Sequence, residues 1–405
     1  MKKIPAQAGA EEKKTDWLSV IVLWFAGIGA AMQFAKFSVS FDHLQEIYNA
    51  EAAHIGLAVS MVGAVGIFFG VASSVLAVRF GYIKTLITAL ALGGVVSLLQ
   101  SGLPPIPILL ASRFLEGASH LGVVVVAPTL IIQLTARKHL SIIMAVWGAF
   151  FGVAFALTGL VGPGMLKIGG VPFLLQMHAL YLFILIGCIL LIRRRMPTFK
   201  QTLQATRNPF AGFLRDNFKV YASPRTVLPG AIFFFHTAMY IALLTFLPRQ
   251  SENPDAVNSL LVVLPLASTA GILLAGIISQ YFLSPLKLSV IAYVITAAMA
   301  FIPAIVSGSF LPFVLVSVFL MIIVGIVPGA TFAMIPMLSK TPEQQANANG
   351  AVAQLGNFGA TLGPPAFALA IDHEGTMGLV WVTVLLCVGG ILVGLTAMQR
   401  YSAAD

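Results

Sequence analysis

Twelve long apolar runs decide what this chain can fold into. Breaking the sequence at its charged and Pro/Gly/Asn clusters gives runs at 17–40, 52–78, 83–101, 105–134, 139–166, 172–193, 226–248, 256–282, 286–307, 310–338, 345–372 and 376–399. A membrane-crossing helix needs about 20 mostly apolar residues, and every run meets or approaches that length. The composition agrees: 59% of the 405 residues are hydrophobic and 9% are charged, against about 25% charged in soluble domains. Too little polar surface exists to cover a water-soluble fold. A soluble enzyme, a disordered chain and a secreted disulfide scaffold are excluded. Cys188 and Cys387 both fall inside apolar runs and read as small fillers. The fold expected is an all-α membrane protein with twelve transmembrane helices.

The cations fix the expected orientation. With the N-terminus inside, nineteen of the 23 Lys and Arg residues fall on the inner side, from Lys2, Lys3, Lys13 and Lys14 to Arg400. Lys167 and Arg249 fall outside, and Lys36 and Arg113 lie within runs. The positive-inside rule then predicts that both termini are cytoplasmic. The formal net charge of +9 faces the inner leaflet and calls for no nucleic acid. The first fourteen residues, MKKIPAQAGAEEKK, lack the apolar core and cleavage site of a signal peptide and are expected to be a cytoplasmic tail.

The segment 194–225 is basic, contains Pro197, Pro209 and Pro224, and divides the runs six and six. The expected organisation is a tail at 1–16, a six-helix bundle at 17–193, a cytoplasmic linker at 194–225, a second bundle at 226–399 and a tail at 400–405. The halves echo one another. Gly117 precedes Pro128 by eleven residues, as Gly325 precedes Pro336, and runs five and eleven end in Gly162-Pro163 and Gly363-Pro364. This is an internal duplication at an offset of about 200 residues. Duplicated helical bundles related by pseudo-two-fold symmetry are a build of secondary transporters, with the substrate near midplane between the halves.

Particular segments sharpen this. The 2–3 loop, ASSVLAVRFGYIKTL at 72–86, resembles the signature loop of the major facilitator superfamily through Arg79, Gly81 and Lys84. Val78 stands where that motif has Asp, and Ser74 where it has Gly. RFLEGASH at 113–120 resembles the superfamily's fourth-helix motif through Arg113 and Gly117. NANGAVAQLGNFGATLGPP at 347–365 and FFFHTAMYIALLTFLP at 233–248 are similar to its cyanate and nitroimidazole transporter subgroup. The resemblance implies the twelve-helix fold, and a gating role for the 2–3 loop.

An ionisable side chain inside the bilayer is expensive and is a functional candidate. Arg113, Glu116 and His120 are spaced three and four apart, which puts them on one helix face. They read as a proton or anion relay, or as an internally neutralised pair that fixes packing. In the repeat partner these positions are Met321, Val324 and Pro328, so the stripe belongs to the first half alone. Lys36 is expected either to snorkel to the outer headgroups or to face a central cavity. Asp42 and Glu46 read as solvated loop residues. His236, one turn before Tyr240, either bonds a neighbouring helix or lines the second half's side of the site. Run eleven carries Gln354 and Asn357 on one polar face; their amides suit a polar substrate or helix packing.

No G-x-x-x-x-G-K-[ST] motif, metal-ligand cluster or dinucleotide fingerprint is present, so neither an ATP motor nor a metal or cofactor is expected. The function expected is secondary active transport of a small polar, anionic solute, coupled to protons and working by alternating access. The chain is not expected to be an enzyme. Two embedded cations and two histidines stand against one carboxylate, and a positive cavity concentrates anions. The alternative is proton-coupled efflux of drug-like or metabolite compounds; a membrane-embedded sensor or enzyme would want a soluble domain or a catalytic cluster, and the sequence presents neither. The expected setting is the bacterial inner membrane, as a monomer, with the bilayer, a small molecule or anion, and protons as its partners.

Overall fold

The computed structural model describes residues 14–70, 77, 80–196, 221 and 223–401, and these are almost wholly helical. The long helices of the first half are α1 (Trp17–Val39), α2 (Ala52–Phe69), α3 (Tyr82–Ser101), α4 (Ile106–Leu134) and α5 (Phe150–Ile192). Those of the second half are α6 (Pro224–Phe246), α7 (Pro254–Tyr281), α8 (Pro285–Met299), α9 (Phe310–Leu338), α10 (Pro342–Glu374) and α11 (Thr376–Tyr401). A short helix, Phe41–Tyr48, follows α1, and another, Leu140–Gly148, leads into α5. Polar caps start several of them. The Asp16 carboxylate accepts from the Ser19 amide at 3.3 Å. Thr341 and Gln344 form a reciprocal capping box at the head of α10, which satisfies two of the amides a helix start leaves unpaired.

Among the described residues ten helices are long and apolar enough to cross a membrane. Two local features turn ten into twelve. The 43 residues of α5 are about twice a span, and the helix breaks at Gly169 and Gly170, the latter at φ +67°. A left-handed backbone there suits glycine alone, and Pro172 follows. That break separates runs five and six. The other crossing is α10, whose 33 residues reach about 50 Å. Its row of amides lowers its hydropathy, not its length. Twelve alternating crossings return the chain to the end at which it starts.

The duplication is visible in the helix boundaries. Both α1 and α6 have 23 residues, and both α4 and α9 have 29. The halves meet along two glycine-lined seams. In one, Gly56 of α2 lies against Pro364 and Pro365 of α10, and Gly63 and Gly66 against Asn357. In the other, Gly152 and Gly159 of α5 admit the backbone of α7 at Pro265 and Leu261. Small residues allow such close helix approach in a bilayer, where apolar surface alone does not drive association.

Most of the 194–225 segment lies outside the described residues, as do Val78 and Arg79 of the signature loop. Gly81 is described: it sits at φ +88° and precedes α3, a conformation that requires glycine. Lys84 lies exposed in the first turn of α3.

Candidate functional site

The embedded charges of the first half converge on one point. Lys36 of α1 has only 1% of its surface exposed, and Arg113 and Glu116 of α4 have none. The Lys36 ammonium donates to Glu116 Oε1 at 2.6 Å, to Ser97 Oγ at 2.9 Å and to His178 Nδ1 at 3.2 Å. An ammonium has three N–H bonds, and all three are used. His178, in the half of α5 beyond the bend, lies 3.0 Å through Nε2 from the Gly29 carbonyl. That contact assigns its proton to Nε2 and leaves Nδ1 as the acceptor facing Lys36.

Glu116 is surrounded by donors. Its Oε2 accepts from Gln100 at 2.9 Å and from the Arg113 guanidinium. Arg113 is held further by the backbone of α2: Nε donates to the Ala58 carbonyl at 2.6 Å, and a terminal nitrogen to the Val59 carbonyl at 3.0 Å. The helix tightens into a 3-10 turn directly beyond, at Met61–Gly63, where the usual i to i+4 pairing lapses. The Arg113 guanidinium also lies 4.0 Å from the centre of the Phe37 ring, a cation–π contact. The cluster therefore ties α1, α2, α3, α4 and the far half of α5 together around one carboxylate.

This placement differs from the sequence expectations in three ways. Lys36 neither snorkels outward nor faces the other half; it turns into its own bundle. His120 shares the helix face of Arg113 and Glu116, but its ring meets the Ala30 carbonyl at 2.9 Å and packs edge-on to Phe34. His178 occupies the third place in the cluster. A histidine alone in an apolar run was the available signal, the same one that singled out His236.

In the second half, the His236 ring is stacked between Phe233 and Tyr240, at centroid distances of 5.6 and 5.2 Å. It lies beside the Val324 backbone of α9. Its Nδ1 has no hydrogen-bond partner among the described residues. Tyr240 meets Phe151 of the first half at 6.2 Å between ring centres. Gln354 reaches the Ile67 carbonyl of α2 at 3.4 Å, and Asn357 donates to Ala353 at 2.8 Å while filling the space beside Gly66. Both amides thus lie in the α2–α10 seam.

The halves are locked together at the end remote from the termini. Ser38 and Thr245 share a 2.8 Å hydrogen bond. Arg249 Nε lies 2.9 Å from both carboxylate oxygens of Asp42, and its terminal nitrogens bond the Ser38 and Thr245 carbonyls. Phe41 and Phe246 pack edge to face beside them at 4.9 Å. Asp42 is therefore an ion-pair partner, not the freely solvated loop residue the sequence suggested. Both polar pairs are separated by 207 residues, the same interval as between the starts of α1 and α6. Each residue meets its own repeat counterpart, so this lock straddles the pseudo-two-fold axis.

The major facilitator superfamily model matches residues 23–364, which takes in both halves, the cluster and the lock. The chain belongs to the major facilitator superfamily. As members of a transporter superfamily do, it carries small molecules across a membrane through its paired bundles. Solved structures of similar fold include the nucleoside transporter NupG, at 15% identity and TM-score 0.72, covering 95% of this chain and 99% of that one. A bacterial homologue of the human lysosomal transporter Spinster, inward-facing and occupied, matches at 13% identity and TM-score 0.74, with 96% of each chain covered. At these identities the likeness is one of fold. No curated protein matches the sequence.

Proposed function

We propose that this superfamily member is a proton-coupled secondary transporter of a small polar, anionic solute, cycling by alternating access between its two six-helix halves. One observation carries the reading: two cations and one carboxylate are sealed together inside one half, leaving an uncompensated positive charge in a low-dielectric setting. Such a charge attracts anions strongly, and sealed titratable groups couple protons to conformation without leaking them. The lock at Asp42 and Arg249 supports the alternating-access part. It closes one end of the bundle, and an access cycle has to open it. The cation bias of the loops supports cytoplasmic termini and a bacterial inner-membrane setting. The resemblance of 347–365 and 233–248 to the cyanate and nitroimidazole subgroup agrees with a small planar or anionic solute.

A second reading, efflux of drug-like compounds, is favoured by the ring cluster of Phe34, Phe151 and Phe155 in the first half, which meets Tyr240 of the second through Phe151. The test is uptake into proteoliposomes of a panel of small anions and lipophilic drugs under an imposed pH gradient. Gradient-driven anion accumulation that disappears in Glu116→Gln supports the first reading. Drug transport with no anion transport overturns it.

A further inference from the structure

We propose that Lys36 is the group that binds and releases the coupling proton, and that Glu116 remains a carboxylate throughout the cycle. This rests on the proton-coupled reading above and assigns the proton to a residue. The charge count gives the direction. Lys36, Arg113 and Glu116 carry one excess positive charge, with at most 1% of any of them exposed. Arginine does not lose its proton in proteins. Protonating Glu116 leaves two buried cations and no anion. Deprotonating Lys36 leaves the Arg113–Glu116 pair balanced beside a neutral amine. Burial penalises net charge, so among the cluster's own protonation changes only the loss of the Lys36 proton relieves it.

The hydrogen bonds agree. Glu116 accepts from Lys36, Gln100 and Arg113, and a proton on either oxygen displaces one of these donors. Lys36 has one weak contact to lose, its 3.2 Å bond to the neutral His178 Nδ1. Ser97 Oγ lies 2.9 Å from the Leu175 carbonyl and 3.1 Å from His178 Nδ1; with its hydroxyl proton on either acceptor, a lone pair of the oxygen serves Lys36 at 2.9 Å. The step is the loss of H⁺ from the Lys36 ammonium to water at whichever end is open, leaving a neutral amine. The 3.2 Å contact to His178 Nδ1 is then the one given up, and its loss loosens the join between α1 and the far half of α5. The groups facing Lys36 are Arg113 and Glu116 from α4, His178 from α5, and the neutral Ser97 from α3. Among the described residues α2 brings only carbonyls to the cluster. His120 is engaged by Ala30.

The experiment uses the full chain in nanodiscs, with both native cysteines replaced by alanine and spin labels at Glu46→Cys and Glu252→Cys, one on each half. Inter-half distances are scanned from about pH 7 upward, beyond ordinary carboxylate and imidazole titration. Infrared pH-difference spectra of the same samples report any protonated carboxyl. The expected result is a pH-dependent distance distribution in the parent protein. It becomes flat in Lys36→Met and in Lys36→Arg, held at opposite extremes, and no carboxylic-acid band is lost in Glu116→Gln. If Lys36→Met fails to fold, Lys36→Arg, which keeps the charge, carries the test. A carboxylic-acid band that vanishes in Glu116→Gln, or a pH response that survives in a folded Lys36 variant, overturns the assignment and leaves proton coupling standing. A parent protein whose distances ignore pH overturns the coupling reading, and the assignment with it.

Discussion

Exchanging Asp42 and Arg249 tests whether the lock on the pseudo-two-fold axis sets the balance between conformations. The carboxylate is 59% exposed and the guanidinium 14%, so the ion pair alone contributes about 0.2–1 kcal/mol. Asp42→Asn removes only that and should open the locked end roughly twofold. Arg249 does more, since it also donates across the axis to the Ser38 and Val39 carbonyls at 2.9 and 3.4 Å. A charge-assisted bond contributes about 1.5–3 kcal/mol, at the lower end for a group near water. Arg249→Gln should therefore shift the equilibrium by about 2 kcal/mol, roughly 30-fold, toward the open state. Arg249→Asp sets two carboxylates against each other and should be the most open of the series. The double exchange, Asp42→Arg with Arg249→Asp, rebuilds the pair. It places the new guanidinium beside Thr245 and Phe246, the repeat counterparts of Ser38 and Val39. The closed population should recover to within about threefold of the parent, because a paired charge is regained. Spin-label distances between Glu46→Cys and Glu252→Cys read all four populations. A double exchange as open as Arg249→Asp refutes the reasoning, and so does an Asp42→Asn effect larger than that of Arg249→Gln.

Three further outcomes follow from the packing. Gly325→Ala puts a methyl group into the backbone of Ser268 where α9 crosses α7, and overpacking of that kind costs about 1–3 kcal/mol. Its melting temperature in detergent should fall, while Gly148→Ala, which meets open space, should leave it unchanged. Arg113→Met strands two acceptors, the Ala58 and Val59 carbonyls, and leaves Glu116 with a single cation; a loss of about 3–5 kcal/mol is expected, read as a collapse in monodisperse yield. Adding Glu116→Met should not rescue it, because the Ala58 and Val59 carbonyls still lack their donor and Gln100 and Lys36 lose their carboxylate acceptor, and recovery of the double variant would show that the cluster is not a three-charge unit. Asp16→Ala removes the cap of α1, and a drop of about 1 kcal/mol should appear as faster amide exchange at Ser19.

What the sequence disclosed follows from the range of the interactions. Run lengths and apolar content are local, so the crossings were legible, and the Gly169-Gly170 break fell between runs five and six as expected. Helical spacing placed Arg113 and Glu116 on one face, because neighbours three apart meet whatever the tertiary structure. It gave no information on how α1 is rotated about its axis. The partnership of Lys36 with Glu116, 80 residues away, therefore stayed hidden, and so did the turning of His120 toward Ala30. His178 was missed although its setting in run six matched that of His236. The pairing of Asp42 with Arg249 was within reach of the repeat. An interval of 207 residues taken from run one to run seven superposes the two positions, and a residue on a two-fold axis meets its own image.

That last geometry bears on how such a chain arose. Two identical six-helix subunits joined about a true two-fold axis would set Asp against Asp, or Arg against Arg, at this position. The homodimer would repel itself at the point where it has to close. Fusing two gene copies into one reading frame lets the two sites mutate separately, so one keeps an acid while the other becomes a base. An attractive clasp on the axis is thus something that duplication followed by divergence can produce, and strict symmetry cannot.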